Sequence, residues 1–181
     1  WVVNLFDEVS NTTVIILLSA IKLECFAMPE IAGPLNVKMK LSATCPNGTR
    51  TDTVVAGHEV TTDEPESRGG SNLAAAPIQV FMASLIGCTN VITNKCARDL
   101  GVEITSMEIE MEAELDRRGM FLVEPVAVPF PNITLNIDVK TNATDEQWDQ
   151  VVDYLHKFCP IAVVIRASGT KIHENWNLIR D

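Results

Sequence analysis

Residues 76–90, APIQVFMASLIGCTN, are the most informative stretch of this 181-residue chain. They lie in a predicted helix over residues 74–100, because proline is tolerated in a first turn and Gly101 suits the position just after a helix end. The first half of this helix has almost no polar face. A helix that is apolar all round is expected to be buried at the centre of a fold. The sequence therefore predicts a central helix that carries Cys88 in or beside the core.

Strands are predicted on both sides of this helix. Residues 102–115 alternate between apolar side chains and glutamates, which is typical of a strand with one buried and one solvated face. A polar loop, DEPESRGGSN over residues 63–72, leads from the first group of strands into the helix. The other predicted strands cover residues 36–42, 50–57, 59–62, 132–140 and 171–178.

A second helix is predicted to begin at Thr144, which forms a capping box with Gln147, and to end at Phe158. Cys159 and Pro160 are expected to terminate it. The order of elements shows no alternation of strand and helix of the kind that builds a parallel sheet. We therefore expect an α+β fold with antiparallel sheet, formed by residues 34–181 and preceded by an extension over residues 1–33.

Composition narrows the class of protein. The chain is 46% hydrophobic and 21% charged, as folded domains are, and its net charge of -10 argues against nucleic acid as a partner. The most apolar run, VIILLSAI at residues 14–21, is too short to span a bilayer and is followed by Lys22 and Glu24. We expect no membrane span, and we expect the extension to pack on the domain or on a second subunit.

The five cysteines predict no stable disulfide framework. Their number is odd and their spacing irregular, and neither a CxxC pair nor a ligand-like histidine spacing is present. No metal site is expected. We predict a reducing compartment, the cytoplasm, in which any disulfide is transient and catalytic.

Two cysteines are candidates for that chemistry. Cys88 lies in the predicted central helix and Cys159 at the end of the second helix, so packing of the two helices would bring the thiols together. Position alone leaves two alternatives open, a reactive pair and ordinary packing, since free cysteines are among the most buried residues.

A resemblance to a known family bears on this choice. The segments APIQVFMASLIGCTN (76–90) and FCPIAVV (158–164) resemble the two cysteine motifs of the OsmC/Ohr family, and DEPESRGG (63–70) resembles the lead-in to its central helix. The resemblance implies an intertwined homodimer, with antiparallel sheets wrapped around two central helices and active sites at the subunit interface. It also implies reduction of organic hydroperoxides without metal, haem or flavin.

Residue roles follow from the same resemblance. Cys88 would be the peroxidatic cysteine and Cys159 the resolving one, and an external dithiol would reduce their disulfide. Members of the family favour the thiolate with an arginine, held by a glutamate just after the helix-opening proline. Here Ile78 and Gln79 follow that proline, so Gln79 would offer only a hydrogen bond.

The candidate for the arginine is Arg50, with Arg68 as the second choice. Because no acidic residue follows the helix-opening proline directly, two functions other than a peroxidase stay open. One is a non-catalytic dimer that binds an apolar ligand, and the other is a thiol redox sensor.

Overall fold

The computed structural model describes residues 31–180. Almost all of the predicted extension over residues 1–33 lies outside this range and stays a prediction. Within the described residues, 40–180 form one compact unit, and the elements described below belong to it.

The first sheet is an antiparallel meander of three short strands, β1 (Leu41–Thr44), β2 (Thr51–Val55) and β3 (His58–Thr62). Ala56 and Gly57 join the last two with positive φ values of 50° and 84°, the backbone of a type I′ hairpin turn. The prediction of a strand over residues 36–42 is wrong at its start. The ladder begins at Leu41 because its partner there, Val55, is the last residue of β2.

The central helix, α1 (Pro77–Asp99), confirms the prediction from the proline and glycine positions. Its start is fixed by the side-chain carbonyl of Gln79, which accepts a 2.8 Å hydrogen bond from the backbone N–H of Ala76. Burial of the whole first half is not found within one chain, since Phe81 remains 43% exposed. The face that is buried is a stripe at helical spacing: Leu85, Thr89, Thr93, Cys96 and Ala97.

The second sheet contains β4 (Ile104–Ala113), β5 (Asn132–Thr141) and β6 (Lys171–Ile179) in that order. As predicted, β4 and β5 are antiparallel, whereas β5 and β6 run parallel, a pairing that the sequence did not predict. The reason is the connection, because a parallel pair needs a long crossover and two helices supply it here.

These two helices are α2 (Asp145–Phe158) and α3 (Pro160–Ala167). The capping box that predicted the start of α2 is present, with Gln147 N–H donating to Thr144 at 3.2 Å. The helix α3 was not predicted. Pro160 lies in the first turn of a new helix instead of ending the helical region. The first N–H groups of a helix have no partner within it, so the N–H that proline lacks is not needed there.

The core lies between the second sheet and the three helices. Alternate residues of β5 face inward and are fully buried: Ile133, Leu135, Ile137 and Val139. One cluster of buried side chains surrounds Trp148 and Cys96, and a second surrounds Leu85 and Cys159. The α+β class is confirmed. None of the helices described within residues 31–180 is long and apolar enough to cross a membrane.

Candidate functional site

The two predicted cysteines meet in the second core cluster. The Sγ atoms of Cys88 and Cys159 lie 3.0 Å apart, although 71 positions separate the residues, and the Cys159 thiol donates to Cys88. Cys159 is fully buried, whereas Cys88 retains partial exposure. The structure therefore holds both thiols face to face, and the one on the central helix is the more accessible.

Cys159 occupies the corner between α2 and α3. It ends the first helix, and its Sγ accepts a hydrogen bond from the Ala162 backbone N–H at 3.5 Å at the start of the second. Burial and, to a smaller extent, the hydrogen bond donated to Cys88 together raise the pKa of the Cys159 thiol to about 11, while the Ala162 N–H opposes the shift. At neutral pH Cys159 is thus a thiol that presents a proton to the neighbouring sulfur.

This geometry permits disulfide chemistry. A disulfide has an S–S length of about 2.05 Å, so the two sulfurs need to approach by only about 1 Å. The two thiols are thus close enough for a disulfide to form between them.

An apolar groove of about 440 Å³ lies beside the cysteine cluster, between α1 and β4. Met82 and Met111 line this groove and also pack against the buried cluster that contains Cys159. Its other lining residues are Ile78, Gln79, Ala83, Ile86, Ala113, Leu115 and Phe130. The groove has room for a hydrocarbon group, and the two methionines lie between it and the cysteine cluster, although neither cysteine lines it.

Gln79 does not meet Cys88 within one chain. Nine helical residues separate them, which corresponds to about 13 Å along the axis and to opposite sides of α1. The carbonyl of Gln79 is engaged with the Ala76 N–H at the start of the helix, and its side chain lines the groove. Within the chain its position is that of a groove residue and not of a hydrogen-bond partner to the thiol.

Both candidate arginines have acidic partners. Arg50 Nε donates to Asp52 at 3.0 Å, and Thr61 donates to the same carboxylate oxygen. Arg68 Nε donates to Glu64 at 2.5 Å. Within residues 31–180, no hydrogen bond or ion pair joins either arginine to Cys88 or Cys159. The Asp52 partner was missed from the sequence, although alternate residues of a strand share a face.

The other described cysteines lie elsewhere. Cys96 is buried in the first cluster, where burial raises the pKa of its thiol, and Cys45 is exposed near Thr51. Cys25 lies outside the described residues. In the part of the chain that the structure describes, no three histidine, cysteine or acidic side chains converge on a possible metal position.

A family model described as OsmC-like protein matches residues 69–175, which is more than half of the chain and includes both cysteines of the pair. The chain belongs to the OsmC-like family. The resemblance inferred from the two cysteine segments is thereby confirmed. No curated protein matches the sequence of this OsmC-like chain.

Solved structures confirm the OsmC-like fold. An OsmC-like protein from Mycoplasma pneumoniae superposes with a TM-score of 0.66 at 15% identity, covering 80% of this chain and 99% of that one. An organic hydroperoxide resistance protein from Elizabethkingia anophelis, with thiocyanate bound, gives 0.57 at 15% identity and covers 81% and 98%. A putative one from Vibrio cholerae, with captopril in one active site, gives 0.56 at 19% identity and covers 80% and 96%. At these identities the similarity concerns the fold.

Proposed function

We propose that this OsmC-like chain is a cysteine peroxidase that reduces organic hydroperoxides through Cys88 and Cys159. The observation that carries the proposal is the 3.0 Å separation of the two sulfurs, of which that of Cys88 is the more accessible. Family membership adds support, since structural neighbours include organic hydroperoxide resistance proteins.

The proposed first step occurs at Cys88. Its thiolate attacks the distal oxygen of the hydroperoxide, the O–O bond breaks, and the alkoxide leaves and takes up a proton to become an alcohol. Cys88 becomes a sulfenic acid. Partial exposure of Cys88 allows the peroxide to reach it, and the Cys159 S–H supplies a hydrogen-bond donor at the reacting sulfur.

In the second step Cys159 loses its proton and attacks the Cys88 sulfur. The sulfenic hydroxyl leaves as water, and the disulfide forms. An external dithiol then restores both thiols by exchange and is itself oxidised to a disulfide. A dithiol reductant fits a reducing compartment, and we propose the cytoplasm.

The groove supports an organic hydroperoxide as the substrate. Its walls are mostly aliphatic and aromatic side chains, so binding would remove the hydrocarbon group of a hydroperoxide from water. Hydrogen peroxide has no such group and gains nothing from these walls. Gln79 lies on the groove wall, and we propose that it donates a hydrogen bond to the bound substrate.

We further propose that the active unit is a homodimer. The three strands of the first sheet contain no buried residue, and one face carries exposed Leu41 and Val60 beside half-buried Val55. A small sheet needs an apolar partner to be stable, and a second subunit would supply it. The Arg50–Asp52 pair lies on this sheet, so the dimer offers a route by which Arg50 reaches a cysteine pair of the other subunit.

One experiment tests the peroxidase. Reduced protein is treated with stoichiometric cumene hydroperoxide, the product is mapped by mass spectrometry, and turnover is then measured with dithiothreitol. We expect a Cys88–Cys159 disulfide and turnover, and neither in Cys88→Ser. Cys96→Ser serves as the control, because that thiol is buried in the other cluster.

Three results would contradict the peroxidase. Oxidation without turnover would indicate a redox sensor, and inertness towards the hydroperoxide would indicate an apolar-ligand binder. Full activity in Cys88→Ser would remove the proposed chemistry altogether.

A further inference from the structure

Glu174 is an acidic residue on the inner, helix-facing side of β6. Alternation along this strand places it between Ile172 and Trp176, and both of those pack against the buried cluster that contains Cys159. The Glu174 side chain is only 7% exposed. The pattern of the strand predicts an apolar residue at this position, so a carboxylate here needs a reason.

Both oxygens of this carboxylate are engaged. His156 Nε2 donates to Oε2 at 2.9 Å, and Arg166 Nη2 donates to Oε1 at 2.7 Å. The side chains of His156 and Arg166 are 46% and 29% exposed, so water weakens both interactions and they contribute little to stability. Stability alone therefore does not explain this arrangement, whereas its fixed geometry does.

The two partners lie on either side of Cys159. His156 is three residues before it in the last turn of α2, and Arg166 is seven residues after it in α3. Cys159 itself has extended backbone angles, φ -74° and ψ 105°, so the corner between the helices is not held by continuous helical geometry. Glu174 joins both helices to β6 across this corner.

We infer that Glu174 is a positioning residue for Cys159. It fixes the angle between α2 and α3 and so holds the Cys159 sulfur against Cys88. The inference rests on the proposed function, because it assigns Glu174 to the second step, disulfide closure, and not to the attack on peroxide. Loss of the carboxylate is expected to slow closure and to leave the oxidation of Cys88 unchanged.

The test separates the two steps with 4,4′-dithiodipyridine. The Cys88 thiolate displaces one thiopyridone and forms a mixed disulfide, and attack by Cys159 on the Cys88 sulfur then releases a second thiopyridone. The protein carries Cys25→Ser and Cys45→Ser so that those thiols do not contribute. The ratio of the second rate to the first measures how well Cys159 is placed, and a change in stability alone does not alter it.

In Glu174→Gln we expect the second release to slow by roughly 10- to 100-fold, the range that small misplacements of reacting groups produce, with the first release unchanged. Arg166→Met should slow it similarly, and Arg166→Lys should recover part of the rate. Glu112→Gln, on the exposed side of β4, is the matched control and should behave as the parent protein. Circular dichroism verifies that each variant is folded.

An unchanged ratio in folded Glu174→Gln would overturn the inference, as would equal slowing of both releases. The proposed function fails separately. A parent protein that gives two releases with the probe but does not react with cumene hydroperoxide would contradict the peroxidase and leave the role of Glu174 at the corner intact.

Discussion

The Cys159 thiol donates a hydrogen bond across 3.0 Å to the sulfur of Cys88, and burial keeps this donor protonated at neutral pH. The two cysteines are therefore unequal before any oxidant arrives. One is accessible and receives a hydrogen bond, and the other is buried and holds its proton. This inequality supports the proposal that Cys88 reacts first and Cys159 second.

Replacing Cys159 by serine should separate the two steps. We expect Cys159→Ser to be oxidised once by a hydroperoxide and then to stop, because no thiol is present to displace the sulfenic hydroxyl. Dimedone should label Cys88, and excess peroxide should carry it to the sulfinic acid. Mass spectrometry gives both products. Continued turnover with dithiothreitol at the parent rate would show that Cys159 is not the resolving residue.

The raised pKa of Cys159 predicts a loss of stability in alkali. In the unfolded chain this thiol ionises near its ordinary value of 9.0, but in the folded protein it does so only near 11. The folded state therefore holds more protons between these values, and the free energy of unfolding falls as pH rises through that window.

The expected fall for the reduced protein is on the order of 2–3 kcal/mol between about pH 9 and 11. Urea unfolding measured across this range, with Cys159→Ser as the reference, isolates the contribution of this thiol. Parallel curves for the two proteins would contradict the assignment.

Replacing Arg50 by methionine should slow the attack of Cys88 on a hydroperoxide by roughly 10- to 100-fold, the effect of losing one charge-assisted hydrogen bond. Disulfide closure should keep its rate, because Arg50 is assigned to the thiolate and not to Cys159. Stopped-flow oxidation of reduced protein measures the first step. Arg68→Met is the matched control, and a loss of rate there with none in Arg50→Met would reverse our choice of arginine.

A larger side chain in the groove should slow the reaction with an organic hydroperoxide but not the reaction with hydrogen peroxide. Ala113 lines the groove on β4, and Ala113→Phe should lower kcat/KM for cumene hydroperoxide by about tenfold, since the loss of a hydrocarbon site costs about 1–3 kcal/mol. The rate with hydrogen peroxide should not change. Ala127→Phe, on an exposed loop outside the groove, provides the control. Equal losses with both peroxides would indicate a structural effect instead of a binding site.

The apolar face of the first sheet predicts that a second copy of the chain covers it. Sedimentation equilibrium should give twice the mass of the chain, and Val60→Asp should shift the protein towards monomer because it places a charge on the apolar face. Val60→Thr keeps the shape of the side chain and should remain dimeric. A monomeric parent protein would contradict the homodimer, and so would a Val60→Asp variant that stays dimeric.

Local features of the sequence determined several helices and strands of this protein. The Pro77 and Gly101 positions predicted α1, with a start three residues too early. The Thr144–Gln147 capping box predicted the start of α2, and the alternation over residues 102–115 predicted β4. Each of these signals acts over a few residues, within the reach of one helical turn or one strand repeat. The cysteine segments also identified the family, and the family model confirms this.

Only the tertiary structure decided how these elements combine. Periodicity does not encode contacts between distant segments, so the sequence left the pairing of Cys88 with Cys159 open and gave no indication that β6 would run parallel to β5. The helix α3 was not predicted because a proline is compatible both with the end of one helix and with the first turn of the next. Glu174 interrupts an apolar alternation that is visible in the sequence. Its contacts with His156 and Arg166, however, exist only in the folded protein.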